Sequence, residues 1–379
     1  MEVQKLVHWL DEIGVDCFTG VPDSLLRPFC DYLMGRYGMS RQHIVAANEG
    51  AAVGLAAGHY LATGRPAVVY MQNSGIGNAV NPIASLLHEQ VYRIPVIFIV
   101  GWRGEPGVKD EPQHVFQGQA TLDMLDCLQI PHRILSKDTD EAEWKQICAE
   151  FDKVLQDGRS VALVVRKGAL ENPDKMQYRS DHKMTREQIL EIVVQQSHPD
   201  DIFVCTTGKL SREMFEIRER NHTGHDRDFL TVGSMGHSVM IAMGIALEKP
   251  DRKVYCLDGD GAAIMHLGSQ AVVGGYAPRN LVHLVVNNGA HETVGGIPNV
   301  AGKLNLAEVA KALGYAAAYR AETEEELVLA LKKAAAAQGG PVFIEAKSNL
   351  QSRKDLGRPT TTPIQNKQAL MKRLMGEKN

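Results

Sequence analysis

The chain has 379 residues, of which 44% are hydrophobic and 23% charged, the usual balance of a globular protein. Its 41 basic and 45 acidic residues give a formal net charge of −4, so the basic footprint of a nucleic-acid-binding protein is absent. No apolar stretch approaches the roughly 20 residues of a membrane helix, and the first residues lack a signal pattern. We therefore expect neither a nucleic-acid partner nor a membrane partner.

The six cysteines are scattered along the chain and form no Cys-x-x-Cys pair. We expect them to be buried, reduced thiols in a cytoplasmic protein. A zinc site or a disulfide framework has little support from their spacing. They are Cys17, Cys30, Cys127, Cys148, Cys205 and Cys256.

Short β-branched runs alternate with amphipathic stretches along the whole chain, which predicts an α/β protein with mostly parallel sheets and helices on both faces. In the first half, the predicted strands are 15–19, 67–72, 95–101 and 161–165, and the predicted helices are 24–37, 49–63, 77–89 and 141–157. In the second half, the predicted strands are 202–205, 253–258, 281–286 and 341–346, and the predicted helices are 185–197, 237–247, 304–313 and 323–337.

A polar segment that contains proline and shows no periodicity interrupts this alternation at 168–184. We therefore expect a first domain over 1–170, a linker over 171–184 and a second domain over 185–350. The remaining residues, 351–379, form a polar tail in which the prolines require 357–363 to be extended or turned.

Two strand ends in the second half carry polar motifs. Strand 253–258 runs into Asp258-Gly-Asp-Gly261, and strand 281–286 runs into Asn287-Asn288-Gly-Ala-His291, with 25 residues between Gly261 and Asn287. The carboxyl ends of parallel strands share one sheet edge, so Asp260 and Asn288 should lie close together. A carboxylate, an amide oxygen and a turn carbonyl are ligands that suit Mg²⁺, and glycines let the backbone approach a phosphate. Gly-Asp-Gly alone is a common turn, but the pair of motifs predicts a magnesium–phosphate site.

This pair of motifs resembles the signature of the thiamine diphosphate (ThDP) enzymes. The resemblance implies two ThDP-binding-fold domains, pyrimidine-binding over 1–170 and diphosphate-binding over 185–350, with ThDP and Mg²⁺ as cofactors. It implies a homo-oligomer, at least a dimer, with sites at subunit interfaces. It also implies that Asp260, the Asn288 side chain and the Ala290 carbonyl hold Mg²⁺. The further cofactor contacts implied around these motifs are Gly259, Gly261, Ala262 and His291.

Glu49 opens the predicted helix 49–63 within Asn48-Glu49-Gly-Ala-Ala-Val53. From the residues alone, it is a first-turn acid favoured by the helix dipole. The resemblance implies instead that Glu49 is the catalytic acid that hydrogen-bonds the pyrimidine ring of the cofactor, a task for which a carboxyl in a site of low dielectric is suited.

Two further turns resemble cofactor-binding turns of the family. Gln72-Asn-Ser-Gly-Ile-Gly77 follows strand 67–72 and mimics a dinucleotide fingerprint, but the third glycine is missing. The resemblance implies cofactor contacts from Gln72 and Ser74. Gly233-Ser-Met-Gly236 precedes helix 237–247, and the resemblance implies contacts from Gly233, Ser234 and Met235; an ordinary core methionine is the alternative for Met235.

The chain leaves no room for the middle domain of the longer 2-oxo acid decarboxylases, and this layout resembles the phosphonopyruvate decarboxylases. The stretches that carry this resemblance include Gly20-Val-Pro-Asp-Ser24, Gly101-Trp-Arg-Gly104 and Thr207-Gly-Lys-Leu-Ser-Arg212. It implies a carboxy-lyase that converts 3-phosphonopyruvate to phosphonoacetaldehyde and CO₂ in phosphonate biosynthesis. Sulfopyruvate decarboxylation, or a small carboligase, is the alternative within the class. A non-catalytic nucleotide-binding α/β protein is the alternative outside it.

A small anionic 2-oxo acid substrate needs charge-assisted donors. Lys209 and Arg212 offer them, although both also fit a solvated basic helix face. Arg353, Lys354 and Arg358 form a basic cluster in the tail, which is either solvated or a lid over the active site. The full set of candidate substrate contacts is Asp23, Ser24, His114, Lys209, Arg212 and Glu292; for Glu292, as for His291, a structural role is the alternative.

Overall fold

The computed structural model describes residues 1–376, which fold into two compact units. The first unit comprises Met1–Gln177 and Val294–Asn299, and the second comprises Tyr178–Thr293 and the chain from Val300 onward. Each unit contains a six-stranded sheet in which every pairing is parallel, so the prediction of two α/β units is confirmed. Within residues 1–376, no helix has both the length and the apolar character needed to cross a bilayer.

The first unit has the strand order β2-β1-β3-β4-β6-β5. Its strands are β1 (Phe18–Gly20), β2 (His43–Val45), β3 (Ala67–Gln72), β4 (Val96–Gly101), β5 (His132–Leu135) and β6 (Val161–Val165). Its helices are α1 (Val3–Glu12), α2 (Arg27–Tyr37), α3 (Glu49–Thr63), α4 (Ile76–Pro82, continued by a π-helical turn over Ile83–Leu87), α5 (Pro112–Cys127) and α6 (Glu141–Gln156). The strand order reverses at β1, which lies between β2 and β3. The carboxyl edge at such a switch point is where α/β sheets bind ligands.

The second unit has the strand order β11-β12-β10-β9-β7-β8. Its strands are β7 (Ile202–Cys205), β8 (Asp228–Leu230), β9 (Val254–Gly259), β10 (Leu281–Asn287), β11 (Ala317–Ala321) and β12 (Val342–Lys347). Its helices are α7 (Arg186–Gln196), α8 (Lys209–Asn221), α9 (Ser238–Glu248), α10 (Asp260–Met265), α11 (Gly268–Tyr276), α12 (Leu306–Ala312), α13 (Glu324–Ala336) and α14 (Pro363–Met375). Because Val286 of β10 pairs with Gly259 of β9, these two strands end side by side.

The core of the first unit explains why Glu49 begins a helix at the sheet edge. The small side chains of α3, such as Ala52 and Ala56, pack in one cluster with β3 and β4, including Val69 and Phe98. The Asn48 side chain accepts a hydrogen bond from the Ala51 amide at 2.8 Å, which caps the helix. Capping and packing together fix the first turn of α3 beside the end of β2.

All eight predicted strands and all eight predicted helices are present, although individual ends are shifted. Four strands lie outside the predicted ranges, namely β2, β5, β8 and β11, and all four are edge strands of their sheets. The helices α1, α5 and α8 also lie outside the predicted ranges. Two further helices, α10 and α11, follow Asp260 and are interrupted at His266 and Leu267.

The tail is more ordered than the sequence suggested. Residues 351–362 are irregular, but α14 begins at Pro363 with a capping box between Thr362 and Gln365. The Asn366 side chain accepts from the Leu230 amide at 3.0 Å and donates to the Asp228 carbonyl at 2.8 Å, so α14 satisfies the edge strand β8. Residues 377–379 of the predicted tail lie outside the described residues.

All six cysteines are free thiols, as predicted, but two of them are not buried. Cys127 is exposed at the end of α5 and Cys148 is half-buried on α6. The prediction of six buried thiols was wrong for these two because both helices leave one face uncovered.

Candidate functional site

The carboxyl edge of the second sheet brings the two predicted metal motifs together. Asp260, 4% exposed, opens α10 directly after β9. One of its carboxylate oxygens accepts from the Gly261 amide and the other from the Gly289 amide, both at 2.5 Å. The second bond reaches the turn that follows β10. The structure therefore joins Asp260 to the turn that carries Asn288 and Ala290, as the sequence predicted.

Asn287 shapes the turn that presents Asn288. The Asn287 amide nitrogen donates to Glu345 Oε1 at 2.8 Å and to the Ala301 carbonyl at 3.2 Å, and its oxygen accepts from the Gly289 amide at 3.0 Å. Asn288 Oδ1 accepts from the Ala290 amide at 3.0 Å. Gly289 adopts a φ of 70°, which favours glycine.

Glu345 is itself a fully buried carboxylate, and its partner is an equally unusual buried lysine. Lys347 Nζ lies 2.8 Å from Glu345 Oε1, and the two side chains are 5% and 0% exposed. A buried charge is tolerated only when it is paired in this way. The pair supports the metal turn from inside the sheet.

His291 lies against the glycine turn of α10. A Cβ atom added at Gly261 would lie 3.1 Å from His291 Cε1 and 3.3 Å from Met235 Cε, so these three predicted cofactor residues are neighbours. Burial lowers the pKa of His291 to about 4, so its ring is neutral near pH 7. Its Nε2 is buried without a hydrogen-bond partner in the structure. An orphaned polar atom of this kind marks a place for a ligand group or water.

The turn 233–236 provides the other wall of this group. Ser234 has a φ of 57°, which is uncommon for a residue other than glycine, and Gly236 has a φ of 86°. A Cβ at Gly236 would lie 2.7 Å from the His266 ring. Gly233 and Met235 are half-buried and Ser234 is exposed, so the turn is accessible from solvent.

A second set of potential metal ligands lies deeper in the same unit. Ligand atoms of Cys256, Asp258 and His283 lie within 4.8 Å of one another, and all three side chains are fully buried. His283 Nε2 lies 3.5 Å from Asp258 Oδ2, and its Nδ1 contacts the Tyr315 hydroxyl at 3.1 Å. This group has no open side from which a phosphate could share an ion, so it differs from the Asp260 site.

Glu292, which follows the metal turn, is the centre of a buried ion network. Its carboxylate pairs with Arg186 and with Lys209 Nζ, the latter at 2.9 Å. Arg186 also holds Glu213 through two bonds of 2.6 Å. Lys209 Nζ donates in addition to Ser352 Oγ at 2.6 Å. Lys209 and Glu292, two candidate substrate contacts, thus bind each other.

Arg212 and Arg353 fasten the irregular part of the tail. The Arg212 guanidinium donates to the carbonyls of Gly357, at 2.6 Å, and Leu356. Arg353 pairs with Glu187, at 2.8 Å, and with Glu216. This part of the tail therefore lies along α7 and α8. Of the predicted basic cluster, Arg353 is engaged in ion pairs, whereas Lys354 and Arg358 are exposed.

In the first unit, Glu49 is 5% exposed at the start of α3. Its Oε2 accepts from the Asn78 side-chain amide at 2.7 Å. Gly75 lies directly against the carboxyl group, because a Cβ at this position would lie 2.5 Å from Glu49 Oε1. The turn 72–78, which the sequence linked to cofactor binding, thus forms the wall that holds Glu49.

Asp23 and Gln72 meet across the switch point between β1 and β3. Gln72 Nε2 donates to Asp23 Oδ1 at 2.7 Å, and Ser74 Oγ donates to Gln72 Oε1 at 2.8 Å. Asp23 is 1% exposed, and burial raises the pKa of its carboxyl despite these hydrogen bonds. Gly101 leaves room for it, since a Cβ there would lie 2.5 Å from Asp23 Oδ2.

Arg103 follows β4 at the same edge. Its Nε and Nη2 atoms donate to Asp110 at 2.8 and 2.6 Å, and its Nη1 donates to Ser24 Oγ at 3.2 Å. Arg103 also lies close to His114, since burial and the charge of Arg103 lower the pKa of that histidine. The Nδ1 atom of His114 is buried without a partner in the structure.

Sequence reasoning assigned no role to Asn78, Arg103, Asn287 or Glu345. Asn78 is four residues from Ser74 in the turn that was already singled out, so a helical period could have indicated it. Glu345 was missed because strand 341–346 was read only as an apolar run, although Glu345 and Lys347 stand two residues apart on one strand and therefore share a face.

Comparison with known proteins places both units in one family. Residues 3–125 match the N-terminal TPP binding domain of the thiamine pyrophosphate enzymes, and residues 206–346 match the C-terminal TPP binding domain. The chain is 35% identical to a phosphonopyruvate decarboxylase of Streptomyces viridochromogenes, over 95% of this chain and 91% of that protein. It is also 35% identical to a phosphonopyruvate decarboxylase of Streptomyces hygroscopicus, over 96% and 91% of the two chains. A sulfopyruvate decarboxylase of Methanosarcina acetivorans is 24% identical over 87% of each chain.

Proposed function

The chain belongs to the thiamine pyrophosphate enzymes, with ThDP as its cofactor, and we propose that it is a phosphonopyruvate decarboxylase. The observation that carries the proposal is the 35% identity to named phosphonopyruvate decarboxylases across 95% of the chain. The reaction breaks the C1–C2 bond of 3-phosphonopyruvate, releases CO₂ and adds a proton at C2 to give phosphonoacetaldehyde. When bound, ThDP supplies the electron sink for the pair left on C2.

The second unit fits the diphosphate and Mg²⁺. Asp260, Asn288 and the Ala290 carbonyl offer three oxygen ligands at one turn, which is the donor type that Mg²⁺ takes together with phosphate oxygens. The start of α10 carries no large side chain next to Asp260, because the neighbouring residues are Gly259, Gly261 and Ala262. His291, with its unpartnered Nε2, and the turn of Gly233, Ser234 and Met235 complete the cofactor contacts.

The first unit fits the reactive ring. Glu49 would hold the proton that is shared with the aminopyrimidine ring of the cofactor, and Asn78 fixes the orientation of its carboxyl. Gln72 and Ser74 lie in the adjoining turn. Asp23, whose carboxyl pKa is raised by burial, and His114 are the groups of this edge that are suited to moving a proton to C2.

We also propose that the protein is a homo-oligomer, at least a dimer, whose sites combine Glu49 of one copy with Asp260 of another. Mixing Glu49→Gln and Asp260→Ala chains after denaturation and joint refolding tests this directly. A dimer with shared sites should recover about a quarter of wild-type activity, because half of the dimers are mixed and each holds one intact site. No recovery in a refolding-competent mixture would contradict shared sites.

The substrate is tested by a parallel assay. The purified protein, with ThDP and Mg²⁺, is given phosphonopyruvate, sulfopyruvate or pyruvate, and both CO₂ and aldehyde are measured. We expect the highest kcat/KM for phosphonopyruvate. Equal or higher kcat/KM for sulfopyruvate would favour the second candidate function, which the similarity to the Methanosarcina sulfopyruvate decarboxylase supports.

The metal site has its own test. Asp260→Ala should abolish the Mg²⁺-dependent binding of ThDP, measured by quenching of intrinsic fluorescence. Asp251→Ala removes an exposed acid of the same unit and should leave this binding unchanged. Retained Mg²⁺-dependent binding in Asp260→Ala would rule out Asp260 as a metal ligand.

A further inference from the structure

We propose that Arg103 and Ser24 form the subsite that receives the phosphonate group of the substrate. This inference rests on the proposed decarboxylase function and names the residues that select its substrate. Ser24 follows β1 and Arg103 follows β4, so both side chains belong to the carboxyl edge that also carries Asp23 and Gln72.

The Arg103 guanidinium is fixed along one edge and open along the other. Asp110 accepts from Nε and Nη2, and the same two carboxylate oxygens also accept from the amides of Gly104 and Glu111 at 2.9 and 2.8 Å. The negative charge of Asp110 is thus fully engaged, and its role is to orient the guanidinium plane. The Nη1 edge meets only the Ser24 hydroxyl among the hydrogen bonds of this group.

This open edge is accessible. The Arg103 side chain is 23% exposed and Ser24 is exposed. A guanidinium nitrogen beside a hydroxyl offers two donors to one tetrahedral anion, and arginine is suited to phosphoryl oxygens because its donors are planar and always charged. A phosphonate that displaces the weak 3.2 Å contact to Ser24 would gain both donors without disturbing the pair with Asp110.

Other cations that the sequence offered for this task are already engaged. Lys209 Nζ donates to Glu292 and Ser352, and the Arg212 guanidinium donates to backbone carbonyls of the tail. Using either for substrate would require breaking contacts that order the second unit. Arg103 needs no such rearrangement.

The position of the subsite also suits the chemistry. Asp23 precedes Ser24, and its two carboxyl oxygens already accept hydrogen bonds from the Gln72 side chain and the Leu25 amide, at 2.7 and 2.9 Å. The phosphonate would therefore be held by Arg103 and Ser24 while the carboxylate that is lost as CO₂ stays apart from them. Pyruvate, which has no anionic group on C3, would make no use of the subsite.

The test compares Arg103→Met, Ser24→Ala and the control Arg166→Met in the holoenzyme. Arg166→Met removes the same charge from the loop after β6, where Arg166 pairs with Glu105 at 2.7 Å. Arg103→Met should raise KM for phosphonopyruvate roughly 10- to 100-fold, the range for losing one charge-assisted hydrogen bond. Ser24→Ala should raise it about 3- to 10-fold, and Arg166→Met should leave it within about twofold.

A second readout is independent of turnover. Methylphosphonate carries the phosphonate alone, and its ³¹P resonance should broaden on binding to wild type and to Arg166→Met but not to Arg103→Met. Because Arg103→Met leaves Asp110 unpaired, Arg103→Met/Asp110→Asn is measured alongside and should behave in the same way.

The outcomes distinguish a failure of the proposed decarboxylase function from a failure of the Arg103–Ser24 subsite. Wild-type protein that releases no CO₂ from phosphonopyruvate overturns the proposed function. Wild-type protein that does so, while Arg103→Met and Ser24→Ala keep KM within about twofold and still broaden the methylphosphonate signal, overturns the subsite alone.

Discussion

The carboxyl edges of the two sheets are built from different chemistry. Around Glu49, the first unit uses neutral amides and glycines, chiefly Asn78 and Gly75. The second unit surrounds its metal turn with buried ion pairs, Glu345 with Lys347 and Glu292 with Arg186. Both sheets are six-stranded and parallel, so the fold does not dictate this difference.

The difference follows from what each edge has to hold. A carboxyl that must share a proton needs a neutral, closely packed surrounding, because nearby charges would fix its protonation state. A turn that must hold a divalent ion and a diphosphate needs rigid ligands, and buried ion pairs hold such ligands at the cost of desolvation. We therefore expect substitutions in the first unit to change turnover and substitutions in the second to change cofactor affinity.

Glu49→Gln should give the largest effect. The amide cannot hold the shared proton, so kcat should fall about 10²- to 10⁴-fold, the range for losing a general acid. Binding of ThDP and Mg²⁺, measured by fluorescence quenching, should stay near the wild-type value. Turnover close to wild type would refute the role of Glu49, and equal losses of binding and turnover would blur the proposed division between the units.

Gly75→Ala tests whether the packing of the first edge matters as much as its acid. The new Cβ would lie 2.5 Å from Glu49 Oε1, so the carboxyl must move. A displacement of this size in a reacting group should lower kcat about 10- to 100-fold. The control is Gly77→Ala in the same turn, where a Cβ meets nothing within 4 Å. Equal kcat in both variants would contradict the proposed contact.

Asn287→Leu addresses the second unit. Removing its three hydrogen bonds should loosen the turn of Asn288 and raise the Mg²⁺ concentration for half-maximal ThDP binding about tenfold, with kcat at saturating Mg²⁺ nearly unchanged. Asn280→Leu removes three comparable bonds at the other end of β10 and should cost stability but not Mg²⁺ affinity. Parallel shifts in both variants would mean that Asn287 acts on stability alone.

Some contacts at the sheet edges could be predicted from the sequence and others could not. The proximity of Asp260 and Asn288 was predicted because each follows a predicted strand of one parallel sheet. In the structure, Asp260 accepts a hydrogen bond from the amide of Gly289, the residue after Asn288. The bond from Asn287 to Glu345 that supports this turn could not be predicted, because it joins the neighbouring strands β10 and β12. Pairing across a sheet is set by strand order, which one sequence does not state.

The fold shows the same division. Central strands such as β3 and β10 were predicted because both of their faces are buried, which gives continuous apolar runs. The strands outside the predicted ranges, β2, β5, β8 and β11, are edge strands with short or mixed sequences, so their pattern is weak. The start of α14 carries a recognisable helix-capping pattern in Thr362, Pro363 and Gln365. The helix was nevertheless not predicted, because of its polar composition.

The smallest expected effect is a pH dependence of stability in the first unit. His43 is the first residue of β2, with Nδ1 contacting the Gly38 carbonyl at 3.0 Å and Nε2 contacting the Tyr70 hydroxyl at 2.9 Å. Burial lowers its pKa from 6.5 to about 4. Between these values the unfolded chain binds a proton that the folded chain does not, so stability is lost as pH falls from about 6.5 towards 4, by up to about 3 kcal/mol.

His43→Gln, which cannot titrate, isolates this contribution. Urea unfolding of both proteins at pH 7.5 and pH 5 gives a double difference in which histidines common to both, such as His291, cancel. The wild type should lose about 1–2 kcal/mol more than the variant between these pH values, because only part of the 2.5-unit window is crossed. Equal losses would mean that His43 is protonated in the folded protein, and the first unit would then hold a buried charge, as the second does.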